Sequence, residues 1–173
     1  MDKSLSPIEI ANRVVPSTKL GSINHLRLTV TDITRAEHFY NPLLLFLGYR
    51  LVEKRPKRLA WAGWAEHGNL HWFILSSVDS EDLKARHDRY APGLHHLAFN
   101  ADSREQIDRL HELLANRGVT ILNPPAEYDY APGYYAVFFV DPDNIKLELV
   151  HVPASSNEAY WKSYLVRGGP IEG

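Results

Sequence analysis

The sequence predicts an α+β protein built from two tandem β-α-β-β-β modules, residues 23–78 and 93–153. Two observations predict it. The stretches "INHLRLTVTDITRAEHFYNPLLLFLGYRLV" (23–52) and "LHHLAFNADSREQIDRLHELLANRGVTIL" (94–122) follow one plan, with His25 and His96 71 positions apart and Gly48 and Gly118 70 apart. Within each copy the apolar period changes from that of a strand to that of a helix and back. A four-stranded sheet with one helix cannot bury both of its faces, so the two copies must combine.

The elements follow in order. Leu26, Leu28 and Val30 alternate as a half-buried strand, and Asp32 is placed to cap the helix after it. That helix should stop at Gly48, with Pro42 expected to kink it or end it early. Strands "YRLV", "RLAWAGW" and "NLHWFILSS" complete the first copy. In the second, Leu97, Phe99 and Ala101 alternate, Asp102 should cap the helix with Glu105 completing a capping box, and Gly118 ends it. Strands "VTIL", "YYAVFFV" and "IKLELVHV" follow, the last two joined by the turn-forming "DPDN". The charged segment 79–92 reads as the linker and residues 1–22 as an N-terminal extension. In the tail, 154–173, Tyr160, Trp161, Tyr164 and Leu165 recur at helical spacing, an apolar face suited to core docking or a subunit contact.

Composition narrows the function classes. Hydrophobic residues at 45% and charged residues at 23% fit a soluble globular protein. A net charge of -2 supplies no basic footprint for nucleic acid and no polybasic membrane signal. No apolar run approaches a membrane span, and the N-terminus lacks the apolar core of a secretory signal, so a cytoplasmic location is expected. With no cysteine, disulfides and thiolate sites are excluded, which leaves His, Asp and Glu as metal ligands.

Strand alternation then sorts the candidates by face. With Leu26, Leu28 and Val30 packed, His25, Arg27 and Thr29 share the open face. With Leu97 and Phe99 packed, His96 faces out and His95 inward. With Ile145, Leu147 and Leu149 packed, Glu148 lies on the open face beside Lys146 and Val150. A single strand histidine is ordinarily a hydrogen-bonded structural residue. Two imidazoles and a carboxylate at related places in a duplicated module are instead the set that binds a divalent metal and leaves positions open for substrate.

"INHLRLTVTDITRAEHFY", "GLHHLAFNADS" and "DPDNIKLELV" resemble the vicinal oxygen chelate superfamily, which includes glyoxalase I, bleomycin-resistance proteins and extradiol dioxygenases. The resemblance covers about residues 23–152, with Asn144 standing where many members have Gly. It implies a curved, cup-shaped mixed sheet with helices outside, and a homodimer. It also implies a divalent ion (Fe2+, Mn2+, Zn2+ or Ni2+) held by His25, His96 and Glu148, and a small substrate that chelates it through two oxygens.

Glyoxalase-type members carry a fourth, usually acidic, ligand on the last strand of the first module. With Leu70, Trp72 and Ile74 packed, the open face of that strand would hold His71, Phe73 and Leu75, with no carboxylate. That favours dioxygenase-type chemistry over the isomerase alternative, with His71 and Tyr135 as the proton-handling candidates. Arg27, Phe73, Tyr130, Tyr134 and Lys146 are the substrate-binding candidates, and Trp61, Trp64 and Trp72 either line a pocket or fill the core. The reading from another class is a metal-free small-molecule binding protein, against which the retention of all three ligand types counts.

Overall fold

The computed structural model describes residues 23–64, 70–78, 87–156 and 158–159. The first module comprises β1 (His25–Val30), α1 (Ile33–Phe46), β2 (Arg50–Arg55), β3 (Arg58–Trp64) and β4 (Leu70–Ser77). The second comprises β5 (Leu97–Asn100), α2 (Arg104–Asn116), β6 (Ile121–Glu127), β7 (Tyr135–Val140) and β8 (Lys146–His151). Each forms its own four-stranded sheet, in the equivalent orders β1-β4-β3-β2 and β5-β8-β7-β6. In both, the outer pair β1–β4 or β5–β8 is parallel and the remaining pairs are antiparallel, so the duplication seen in the sequence is also one of topology. No helix among the described residues is long and apolar enough to cross a membrane.

Local chemistry sets the helix ends. Asp32 caps α1 as expected, its carboxylate accepting from the Thr34 and Arg35 amides at 2.9 and 3.0 Å. The second cap differs from expectation: Ser103 occupies the N-cap position, and Asp102 stands one residue earlier. There the Gln106 side chain, rather than Glu105, reaches back, accepting from the Asp102 amide at 2.7 Å and donating to its carboxylate at 3.1 Å. Gly48 and Gly118 follow the helices with φ of 88° and 68°, a conformation that stops a helix at little cost only for glycine.

Pro42 does not end α1, which runs through it to Phe46. Proline lacks the amide that the His38 carbonyl would otherwise accept from. Arg117, just past α2, supplies the missing donor to that carbonyl at 2.8 Å. The helix therefore continues because the other module satisfies the broken bond.

The two modules share one core. Leu28 and Val30 of β1, Phe39, Tyr40, Leu43 and Leu44 of α1 and Phe73 and Leu75 of β4 pack in one cluster with Ile107, Leu110 and Leu114 of α2, Val137 and Phe139 of β7 and Leu147 and Leu149 of β8. Ring contacts Phe39–Phe139 and Phe73–Phe99, at 6.4 and 6.2 Å between centroids, cross from one module to the other.

The turn at 141–144 fastens the modules together. Asn144 takes a φ of 70°, which its short polar side chain tolerates. Asp141 is buried and accepts from the amides of Asp143 and Ile145 and from the Tyr40 hydroxyl of α1 at 2.9 Å. Asp143 accepts from the Thr31 amide and from Arg35, both at 2.8 Å. The "DPDN" motif is thus a plug into the first module as well as a turn.

Each helix lies on the face of its sheet opposite His25 or Glu148, as expected, and both helices also contribute to the core between the modules. The extension 1–22, linker residues 79–86 and the tail face of Tyr160, Trp161, Tyr164 and Leu165 lie outside the described residues.

Arg117→Ala is expected to lower unfolding stability by about 1 kcal/mol, the value of one charge-assisted bond at a partly exposed site. In a Pro42→Ala background, where the carbonyl regains its helical donor, most of that loss should vanish in urea denaturation.

Candidate functional site

Glu148 is at the centre of β8 and is 1% exposed, although it faces away from the shared core. Its register neighbours are Ala98 on β5 and Phe138 on β7. One carboxylate oxygen, Oε1, accepts a short hydrogen bond from the Tyr134 hydroxyl. The other, Oε2, lies 3.3 Å from Nε2 of His96. Among the described residues no Lys or Arg comes within ion-pair distance of it. A carboxylate buried with only an imidazole and a phenol for partners is expensive, and suits a position that receives a cation.

The surroundings set the protonation states. Burial holds His96 below the usual imidazole range, aided by Lys146 and His95 and opposed by Glu148, so the ring is neutral at pH 7 and carries a lone pair. His95 reaches His96 through a 2.7 Å contact between their Nδ1 atoms, which leaves the Nε2 of His96 directed at Glu148. Burial and the hydrogen bond to Glu148 push the Tyr134 hydroxyl far above the usual phenol range, so it stays a donor. Tyr128, Tyr130 and Tyr134 form an aromatic cluster beside Phe138, with Tyr128 and Tyr130 stacked at 5.8 Å. Lys146 holds its ammonium 4.1 Å over the Phe138 ring. Burial lowers its pKa, and Arg89 adds to that shift against the opposing pull of Glu148.

The open face of the first sheet is defined by parallel pairing, His25 with Trp72, Arg27 with Ile74 and Thr29 with Ser76. Arg27 donates from Nε to Ser76 Oγ at 3.0 Å. His25 is exposed, its Nδ1 3.0 Å from the Asn24 side chain. Leu70, Trp72 and Trp64 share this face and are 38%, 36% and 75% exposed. Trp61 instead fills the core, donating to the Asn41 side chain at 3.0 Å.

Three expected placements are overturned. On β4 it is Phe73 and Leu75 that enter the core, so Phe73 does not line the open face, and His71, which alternates with them, turns toward the helix side. Both alternations of "LHWFILSS" are largely apolar, and only the pairing of Leu26 with Phe73 and Leu28 with Leu75 decides between them. Tyr135 also faces the helix, its hydroxyl donating to Asp108 of α2 at 2.9 Å. Its neighbour Tyr134 takes the open-face position. With β4 corrected, the open face of that strand holds Leu70, Trp72, Ile74 and Ser76, still without a carboxylate.

Sequence reasoning missed Ser76, Arg58 and Tyr128, for which no motif stood out. His96 and Glu148 are brought together, but His25 does not join them in one chain: among the described residues no three His, Asp or Glu side chains form a metal-binding group. His25 belongs to the open face of the other sheet.

The geometry defines a class of protein, and comparison with known proteins agrees with it. Residues 22–149 match the Glyoxalase/Bleomycin resistance protein/Dioxygenase superfamily, and the chain belongs to that family. The Bacillus subtilis protein YqjT, uncharacterized, is 33% identical over 132 residues, which cover 74% of this chain and 97% of that one. A Bacillus halodurans protein of known structure is 30% identical with a TM-score of 0.65, over 77% of this chain and 97% of that one. The lactoylglutathione lyase of Agrobacterium tumefaciens, 21% identical with a TM-score of 0.53 over 76% and 93% of the two chains, shares the fold.

Tyr134→Phe removes the donor to Glu148 Oε1 and is expected to cost about 1–3 kcal/mol in chemical denaturation. Adding Glu148→Leu, which removes the acceptor as well, should recover most of that loss.

Proposed function

We propose that the protein is a divalent-metal-dependent enzyme whose site is completed by a second copy of the chain. His96 and Glu148 come from one protomer and His25 from its partner. The observation that carries this reading is Glu148, buried on the open face between a neutral imidazole and a phenol. Two of the three donors already converge, and the third stands on a face whose exposed Trp64, Leu70 and Trp72 make an apolar patch of the sort subunits cover. A twofold axis would bring the open face of each first sheet onto the second sheet of the partner and build two identical sites.

The donor set is that of a two-histidine, one-carboxylate centre with open positions, suited to iron(II), manganese, zinc or nickel. Such an ion supplies Lewis acidity to two adjacent oxygens of a small organic substrate. Tyr134 orients Glu148 and keeps one of its oxygens occupied, leaving Oε2 for coordination. Tyr128, Tyr130 and Phe138 offer apolar surface beside it.

Within this class, dioxygenase-type chemistry is favoured over glyoxalase-type isomerisation, because β4 presents no carboxylate to move a proton between neighbouring carbons. Oxygen uptake with catechols is the expected activity, and turnover of a hemithioacetal without it would reverse the choice. One observation favours a second reading, that of a metal-free binding protein: both oxygens of Glu148 already have partners within the chain.

Metal content decides between the two. His25→Ala and His96→Ala should each lose bound metal, and their equimolar mixture, refolded together, should regain about a quarter of the wild-type content through mixed dimers. Wild-type protein that takes up no metal at pH 7, or a mixture that regains none, would sink the composite centre.

A further inference from the structure

We propose that Arg27 and Arg58 form a carboxylate-binding subsite on the open face of the first sheet, so that the substrate is an organic acid. The assignment rests on the reading above in one respect, that this face lines the substrate cavity.

The register places the two arginines on the strands that flank Ser76. On the open face, Ser76 of β4 lies directly opposite Arg58 of β3, and the Arg27 side chain reaches it diagonally from β1. Ser76 is 8% exposed and accepts from Arg27 Nε at 3.0 Å, which fixes the guanidinium plane through one edge and leaves its terminal nitrogens to project. Arg27 meets no carboxylate within ion-pair distance among the described residues.

Arg58 is similarly undercompensated. Its Nε is shielded from solvent and has no hydrogen-bond partner. The nearest acid oxygen is Glu53 Oε1 at 3.6 Å, and that oxygen is already 2.8 Å from Arg55 Nε. Arg55 and Arg58, on neighbouring strands, thus share one carboxylate. A shielded guanidinium nitrogen left unmatched is costly, and a ligand oxyanion would supply what the chain does not.

The chemistry favours a carboxylate over a phosphate. The Arg27 guanidinium, fixed by one edge, presents parallel N–H groups that match a planar carboxylate. Phosphate sites characteristically add backbone amides from a helix N-terminus or a glycine-rich turn, and the turn at Pro56 and Lys57 beside Arg58 holds no glycine. Ile74 pairs with Arg27 and Trp72 pairs with His25, so the body of the acid would lie on apolar surface beside its charge.

Benzoate is the probe, titrated calorimetrically into the full-length metal-free protein. It is expected to bind, and to bind about tenfold or more weakly to Arg27→Gln and to Arg58→Gln, with Arg27→Lys intermediate because it keeps charge without the planar fork. Benzyl alcohol should not bind measurably, and phenyl phosphate should bind no more tightly than benzoate. Absence of benzoate binding, equal affinity in wild type and both glutamine variants, or a marked preference for phenyl phosphate would each overturn the assignment. So would sedimentation showing that Arg27→Gln dissociates the dimer, since the arginine would then be a subunit contact. Zinc uptake by the arginine variants should match wild type. If wild-type protein takes up no zinc while benzoate binding still depends on Arg27, the metal reading fails alone and the acid subsite stands.

Discussion

The packing of both helix-bearing sheet faces into a single core is the constraint on which the rest of the structure depends. Each sheet has two faces, and the cluster from Leu28 to Leu149 uses the helix side of both. The turn at 141–144 locks that arrangement, because Tyr40, Thr31 and Arg35 of the first module satisfy the carboxylates of Asp141 and Asp143 in the second. The opposite faces are left outward, one with His25 and Arg27, the other with His96 and Glu148. What distinguishes the molecule chemically therefore sits where the core is not, and the proposal of a site shared between two copies follows from that separation.

Glu148 departs from the rules that govern its neighbours. Leu147 and Leu149 on either side gain free energy by leaving water, whereas a carboxylate in the same strand loses solvation worth several kcal/mol. Tyr134 and His96 offset part of that cost through hydrogen-bonding contacts, and neither contributes a positive charge at pH 7. A purely structural position would be cheaper with an apolar residue. The same reasoning applies to Arg58, whose unmatched Nε is the counterpart of opposite sign on the first sheet.

Much of this was legible in the sequence, and the failures are instructive. The duplicated plan, the open-face positions of His25, Arg27, His96 and Glu148, and the Asp32 cap needed only alternation and local hydrogen bonding, which act within a few residues. The β4 reading failed because tryptophan, isoleucine and leucine occupy one alternation and phenylalanine and leucine the other, so hydrophobicity could not rank them. Tyr134 and Tyr135 posed the same problem in miniature: adjacent tyrosines on a strand must point to opposite faces, and only the pairing of β7 with β8 says which meets Glu148.

The sequence by itself determined the two modules, their element order and the side of most strands, because those depend on periodicity and on turn and cap chemistry that a short window contains. Tertiary structure alone decided that α1 passes through Pro42, since the replacement donor comes from Arg117 in the other module. It also decided that His25 and the His96–Glu148 pair do not meet within one chain. Alternation states which face a side chain takes, but not where in space that face is carried; that depends on how two sheets pack, a long-range matter of core shape that no local pattern encodes.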